Sequence, residues 1–370
     1  MKITRTAVAM SLLFIAHGAV ADVKLSYAGE YTVPDATRVD GHTVSGLSAL
    51  AWDAKDKVFY AINDNRNTEK EGEASLYSFT MALTAKGISG VHFLTRRPLL
   101  NDDGTGFPAS TVDAEGLALT PDGQSLMWSS ELGAPLRLSD KRGVMRKAFP
   151  EAPGEKFALS EGTTGVRKNA SWESLSFTPD GKKLFMATES SLKQDGDVAT
   201  PVHSGTSRLI KFSTTATGMQ PVPQQEYLYV TDAVPQVTPY GVNDNGVSDI
   251  LAISDTRLLF VERSGRNVSK GFNDWDFSVR VYLADIAEAT DISKVESLSS
   301  DKETATLQTA KKKLLIDFSA LTPSPDNIEG VTFGPLIDGK KTLVFVSDNN
   351  QQPHQKTKFY LFIDEENTLK

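Results

Sequence analysis

EGLALTPDG, Glu115 to Gly123, returns as ESLSFTPDG, Glu173 to Gly181. Each copy opens on a carboxylate, alternates apolar residues over a short strand, turns at Pro-Asp-Gly and enters a second apolar strand, the pattern of a β-hairpin. Three looser copies flank them: SGLSALAWDAKDKVFYAINDN from Ser45, DILAISDTRLLFVERS from Asp249 and EGVTFGPLIDGKKTLVFVSDNN from Glu329. The start of one strand in an antiparallel hairpin lies beside the end of the next. This predicts that Glu115 meets Glu131, Glu173 meets Glu189, Asp249 meets Glu262, Glu329 meets Asp348 and Ser45 meets Asp64.

Apolar stretches after each hairpin leave room for four strands per unit: SLYSFTM from Ser75, VHFLTRRPLL from Val91, LRLSD from Leu136, RLIKFS from Arg208, VRVYLADI from Val279 and KFYLFIDE from Lys358. Fourth strands are expected at Tyr227 to Val230 and Leu314 to Phe318. Units starting at 45, 115, 173, 249 and 329 are longer than the roughly 40 to 45 residues of a compact propeller blade, which implies long loops. The segment from Glu329 onward and the strand VKLSYAGEYTVP near the start together make about one unit, so the two ends are expected to share a blade. The expected fold is therefore all-β, a β-propeller of five blades closed by the N-terminal strand, which hides free sheet edges. Six blades follow if a degenerate unit lies between Ala134 and Trp172 or between Gly218 and Asp249. The charged stretch Asp291 to Lys313 reads as a solvated surface loop.

The first residues, MKITRTAVAMSLLFIAHGAVA, have the basic start, apolar run and small-x-small end of a secretory signal cleaved after Ala21, leaving one domain over 22–370 and a periplasmic or secreted location. No later stretch is long and apolar enough to span a bilayer. The chain has no cysteine, 39 basic and 47 acidic residues, so thiol chemistry is excluded and nucleic acid is not an expected partner.

In a propeller, equivalent first-strand positions ring one mouth of the central channel. Here they read Ser45, Glu115, Glu173, Asp249 and Glu329. Carboxylates crowded on one axis repel unless a cation neutralises them or some stay protonated. Calcium, which accepts six to eight oxygen ligands, suits the ring, with magnesium as the alternative. Zinc would recruit imidazole, and His42, His92, His203 and His354 show no ligand spacing. The loops NDDGTG from Asn101, NDNRN from Asn63, NDNG from Asn243 and SDNNQQ from Ser347 add oxygen donors near the mouth. Arg66, Lys193, Arg263 and Arg266 stand close to hairpin ends, where arginine can grip phosphate. Trp172 either stacks on a ligand or packs between blades. The sequence holds no G-x-S-x-G, H-E-x-x-H, P-loop or G-x-G-x-x-G motif.

With GLSAL at Gly46, DAEGLALTPDG with Glu131, ESLSFTPDGKKL with Glu189, GVSDI with Glu262 and NIEGVTFGP with Asp348, the chain resembles the exported proteins described as the esterase-like activity of phytase family. More distantly the ring is similar to the calcium site of five-bladed calcium-activated nucleotidases, and the plan to β-propeller phytases. The resemblance implies a phosphatase-like or phosphodiesterase-like hydrolase acting on a small phosphorylated substrate. Calcium at Ser45, Glu115, Glu173, Asp249 and Glu329 is then expected to polarise the phosphoryl group, Glu131 or Glu189 to act as general base, and Arg66 or Arg263 to steady the phosphate. The alternative is a non-catalytic propeller in which the cation only ties the blades and a protein partner docks across the face.

Overall fold

The computed structural model describes residues 23–241, 243–270, 274–298, 306–322 and 325–369. The expected secretory signal lies outside them.

Five antiparallel sheets of four strands follow one another. The first holds β4 (Leu47–Asp53), β5 (Val58–Asn63), β6 (Ser75–Thr84) and β7 (Gly87–Pro98); the second holds β8 (Ala114–Leu119), β9 (Ser125–Ser130), β10 (Leu136–Asp140) and β11 (Met145–Phe149). The third is β12 (Ser174–Phe177), β13 (Lys183–Ala187), β14 (Thr206–Ser213) and β15 (Val222–Val230), and the fourth is β16 (Gly246–Ala252), β17 (Arg257–Asn267), β18 (Trp275–Asp285) and β19 (Lys311–Asp317). The fifth takes β20 (Asn327–Phe333), β21 (Thr342–Asp348) and β22 (Lys358–Asp364), and β1 (Leu25–Thr32) pairs antiparallel with β22 as its outer strand. A short hairpin of β2 (Arg38–Val39) and β3 (His42–Thr43) precedes β4. The inner strands β4, β8, β12, β16 and β20 touch in cyclic order.

This is a five-bladed β-propeller. No sixth sheet of this kind occurs among the described residues: the stretch from Ala134 to Trp172 supplies β10 and β11, and the stretch from Gly218 to Asp249 supplies β15 and the start of β16.

The hairpins form for local reasons. Thr120 Oγ1 donates to Asp122 Oδ1, which also accepts from the Gln124 N–H; Thr178, Asp180 and Lys182 repeat the arrangement in the third sheet. Such side-chain to backbone bonds set the turn before any tertiary contact exists. Strand alternation then presents apolar residues on both faces, and each face packs on a neighbouring sheet. Trp128 and Leu126 meet Ile62 and Ala51 between the first and second sheets; Phe260 and Ile250 meet Tyr229 and Phe185 between the third and fourth. The other three junctions are filled in the same way. The inner strands approach closely at two glycines of the repeated phrase. A Cβ on Gly116 would stand 2.9 Å from Glu173 O and Leu175 N, and one on Gly330 would stand 3.0 Å from Ala49 Cα.

The stretch beginning at Asp291 is not simply solvated. Ile292 and Leu298 are buried against Leu228, the Leu298 N–H donates to Asp195, and the Ile292 N–H donates to Glu226 O.

Candidate metal centre

Strand register decides which residues face the channel, and bulges alter it. Ser48, Ser248 and Glu329 are each the extra residue of a β-bulge, flanked by Leu47 and Ala49, Val247 and Asp249, and Ile328 and Gly330. In the second sheet the irregularity spans Glu115 and Gly116. Aligned on these bulges and on the channel-lining Leu50, Leu117, Leu175, Ile250 and Val331, the counterparts of Glu115, Glu173 and Glu329 are Ser48 and Ser248. A slip of an odd number of residues exchanges the faces of a strand. The expected ring members Ser45 and Asp249 therefore stand out of register.

Asp249 is spent elsewhere: its Oδ1 accepts from the Ile250 N–H and its Oδ2 from the Val331 N–H at 2.7 Å, tying β16 to β20. Its partner Glu262 also turns away, accepting from Tyr229 Oη, the Asp232 N–H, Asn245 and Lys312. Ser45 is half-buried ahead of β4 and belongs to neither carboxylate group described below.

The remaining acids do converge. One oxygen from each of Asp113, Glu115 and Glu131 lies within 4.8 Å of the others, and the same holds for Glu131, Glu173 and Glu189. Glu131 belongs to both groups, and all five carboxylates are buried. Glu329, Asp348 and Asp64 continue the cluster through the fifth and first sheets, close enough to act on one another's protonation. Of the expected hairpin pairs, Glu115 with Glu131, Glu173 with Glu189 and Glu329 with Asp348 come together. Asp64 joins the cluster, its N–H bonded to Gly46 O, without Ser45.

Two arginines reach in. Arg66 Nε is 2.8 Å from Asp113 Oδ2, and Arg263 Nη2 is 3.1 Å from Glu189 Oε1 and 3.9 Å from Glu329 Oε1. Arg263 stands next to the outward Glu262, so the fourth sheet contributes a positive charge where its neighbours contribute negative ones. Lys193 bonds Ser160 O and Arg266 pairs with Asp276, so neither joins the cluster. Trp172 packs on Phe157 in the core between the second and third sheets.

Electrostatics follow from this crowding. Burial raises the protonation range of Glu115 and Glu173 well above the usual carboxylate value, and neighbouring carboxylates raise both further. Burial also carries Glu131 to about 7 and Glu189 and Glu329 to about 8, the last two held back by Arg263. Asp348 rises to about 8 through burial and then Glu329. Arg263 moves upward, because Asp244, Glu189 and Glu329 outweigh its own desolvation.

The donor set fits a hard cation. Oδ1 of Asp113 and Oδ1 of Asn327 are buried and complete no hydrogen bond, whereas the Asp348 carboxylate lies against the backbone N–H groups of Gly46, Asn349 and Asn350. Buried oxygens without donors are costly unless something positive satisfies them. The donors are oxygens only, the chemistry of calcium or magnesium, while His42, His92, His203 and His354 are exposed on the surface.

Asp113 was missed by the sequence reading although it precedes Glu115 by two residues in DAEG, the period that places side chains on one strand face. The enriching loops are turns more than ligands. Asp103 caps Thr105, and Asn63, Asn65 and Asn67 bond the backbone of Glu73 to Ser75. Asn349 accepts from the Gly46 N–H.

No match was found among curated proteins. Among solved structures the chain is similar to the periplasmic gluconolactonase PpgL of Pseudomonas aeruginosa, 12% identical over 88% of this chain and 87% of that one with a TM-score of 0.35. A member of the DUF4221 family from Bacteroides vulgatus is 11% identical over 93% and 99% of the two chains, with a TM-score of 0.38. The sequence model of the phytase-like family, described as the esterase-like activity of phytase, matches residues 42–351, from ahead of β4 to beyond β21, and so takes in both carboxylate groups and both arginines. The chain belongs to the phytase-like family.

Proposed function

We propose that the protein is an exported phosphoester hydrolase that works with a divalent cation, calcium before magnesium, at the acidic mouth of the propeller. The observation that carries the reading is the pair of buried carboxylate groups sharing Glu131 and faced by Arg66 and Arg263. Membership of a family described by an esterase-like activity supports hydrolysis, and the leader through Ala21 supports export.

Asp113, Glu115 and Glu173 would hold the cation, with Glu329, Asp348 and Asn327 as further oxygen donors. When bound, it supplies Lewis-acid charge against a phosphoryl oxygen. Arg263 and Arg66 are the chain's own positive groups for the phosphate. Glu131 is the better base of the two candidates, because Glu189 is neutralised by Arg263. Its Oε1 accepts the Ser171 N–H, which leaves Oε2 to take the proton of the attacking water. As the new P–O bond forms, the P–O bond to the alcohol breaks, and that proton passes to the leaving oxygen.

The test is turnover of phosphate monoesters and diesters by the purified protein with calcium, magnesium or chelator, beside its melting temperature. Calcium-dependent turnover that falls at least about 100-fold in Glu173→Gln, with melting temperature kept, is expected. A calcium-raised melting temperature with no turnover would instead identify a cation-tied binding scaffold.

A further inference from the structure

A cavity opens beside Glu131. It measures about 390 Å³ and lies between the end of β9 and the 150–172 segment. Its walls are Pro135, Phe157, Leu159, Val166 and Trp172, with Glu131 at the side of the cation-holding cluster. The Phe157 and Trp172 rings, 5.4 Å apart, fix one wall, and Leu159, 44% exposed, forms part of the rim. The size lies in the range of small-molecule sites, which pair an apolar lining with a few placed polar groups.

Charge defines what this cavity accepts. No lysine, arginine or histidine lines it, and the exposed Glu151 and Glu155 stand at its edge. A second phosphate would meet acids and lose its hydration without compensation. At the mouth the positive groups proposed for a phosphate are Arg66 and Arg263, each already shared with acids, Arg66 with Asp113 and Arg263 with Glu189 and Asp244, so they serve one phosphate and leave nothing for a second.

Building on the phosphoester reading above, we infer that the substrate is the phosphoester of a single apolar alcohol, whose hydrocarbon part occupies this cavity while its one phosphate lies on the cluster side of Glu131. A multiply phosphorylated polyol does not match the site.

The experiment compares methyl, butyl and hexyl phosphate and myo-inositol hexakisphosphate, with calcium, in the wild type and in Ala158→Trp. Ala158 is an exposed residue of the cavity lining, outside the carboxylate cluster, and indole bulk there narrows the cavity from its open side. The three alkyl esters have leaving groups of nearly equal reactivity, so differences report binding of the chain. Expected is a kcat/KM that rises at least about tenfold from methyl to hexyl, carried by KM, with Ala158→Trp erasing the rise and sparing methyl phosphate. Equal values along the series, a preference for the hexakisphosphate, or an equal loss on every ester in Ala158→Trp would overturn the inference.

Absence of all turnover would sink the hydrolase reading alone, and the cavity is then judged by calorimetric binding of methylphosphonate and hexylphosphonate. Tighter hexyl binding lost in Ala158→Trp supports the cavity's role; equal binding overturns it.

Discussion

The third and fourth sheets build their inner hairpins in the same way and deliver opposite charges to the channel. In the third, Glu173 and Glu189 both enter the carboxylate cluster. In the fourth, the bulge at Ser248 pairs Val247 with Glu262 and Gly246 with Arg263. Glu262 is thereby turned to Tyr229, Asp232 and Lys312, and Arg263 faces Glu189 and Glu329. The repeat preserves the hairpin and leaves its charge free to vary. One side of the mouth is therefore fit to hold a cation, and the other carries its own.

Three experiments press on that contrast. Arg263→Ala strips the fourth sheet of its inward charge and leaves Glu189 and Glu329 buried without their positive partner. Removing one member of a buried pair costs about 3 kcal/mol, so urea melts of the metal-free protein should show a loss of that order, partly restored by calcium. An unchanged midpoint would mean that the third and fourth sheets differ in sequence only.

Asp249→Asn has a smaller effect of a different kind. It weakens the two backbone bonds to Ile250 and Val331, a cost of about 1 kcal/mol, and should leave the calcium-induced rise in melting temperature intact. A loss of that rise would return Asp249 to the cation site.

The third experiment varies pH. Glu131, Glu189, Glu329 and Asp348 take up protons more readily folded than unfolded, at about 7 for the first and about 8 for the others. Groups raised on folding lend stability that is complete below the unfolded carboxylate range and is lost as pH rises through the folded value. The metal-free melting temperature should therefore fall by a few degrees from about pH 5 to about pH 8, and calcium should flatten that fall by displacing the protons. A metal-free protein that gains stability over this interval would contradict the crowding of these acids.

The propeller was legible because its determinants are local. Thr-Pro-Asp-Gly turns and alternating strands are written in short stretches, and the third strands at Leu136, Arg208, Val279 and Lys358 follow from the same alternation. Register was less legible. A bulge inserts one residue with no signature of its own in an apolar and polar pattern. Aligning the first and fourth units on Ser-Gly-Leu and Asp-Ile-Leu therefore missed Ser48 and Ser248. Glu262 and Arg263 are adjacent in sequence, and only pairing across the hairpin decides which of them points inward. The burial of Ile292 and Leu298 was hidden by their charged surroundings, since two apolar residues are enough to anchor a loop over Leu228.

The close approach at Gly116 and Gly330 has a consequence for ion choice. With backbone against backbone at these points, the inner strands form a hoop that cannot widen without breaking contact with the next sheet. Oxygens mounted on such a hoop keep fixed separations. A cation held there, as proposed, would be selected by radius, with one that fits the gap as it stands favoured over one that asks the gap to shrink.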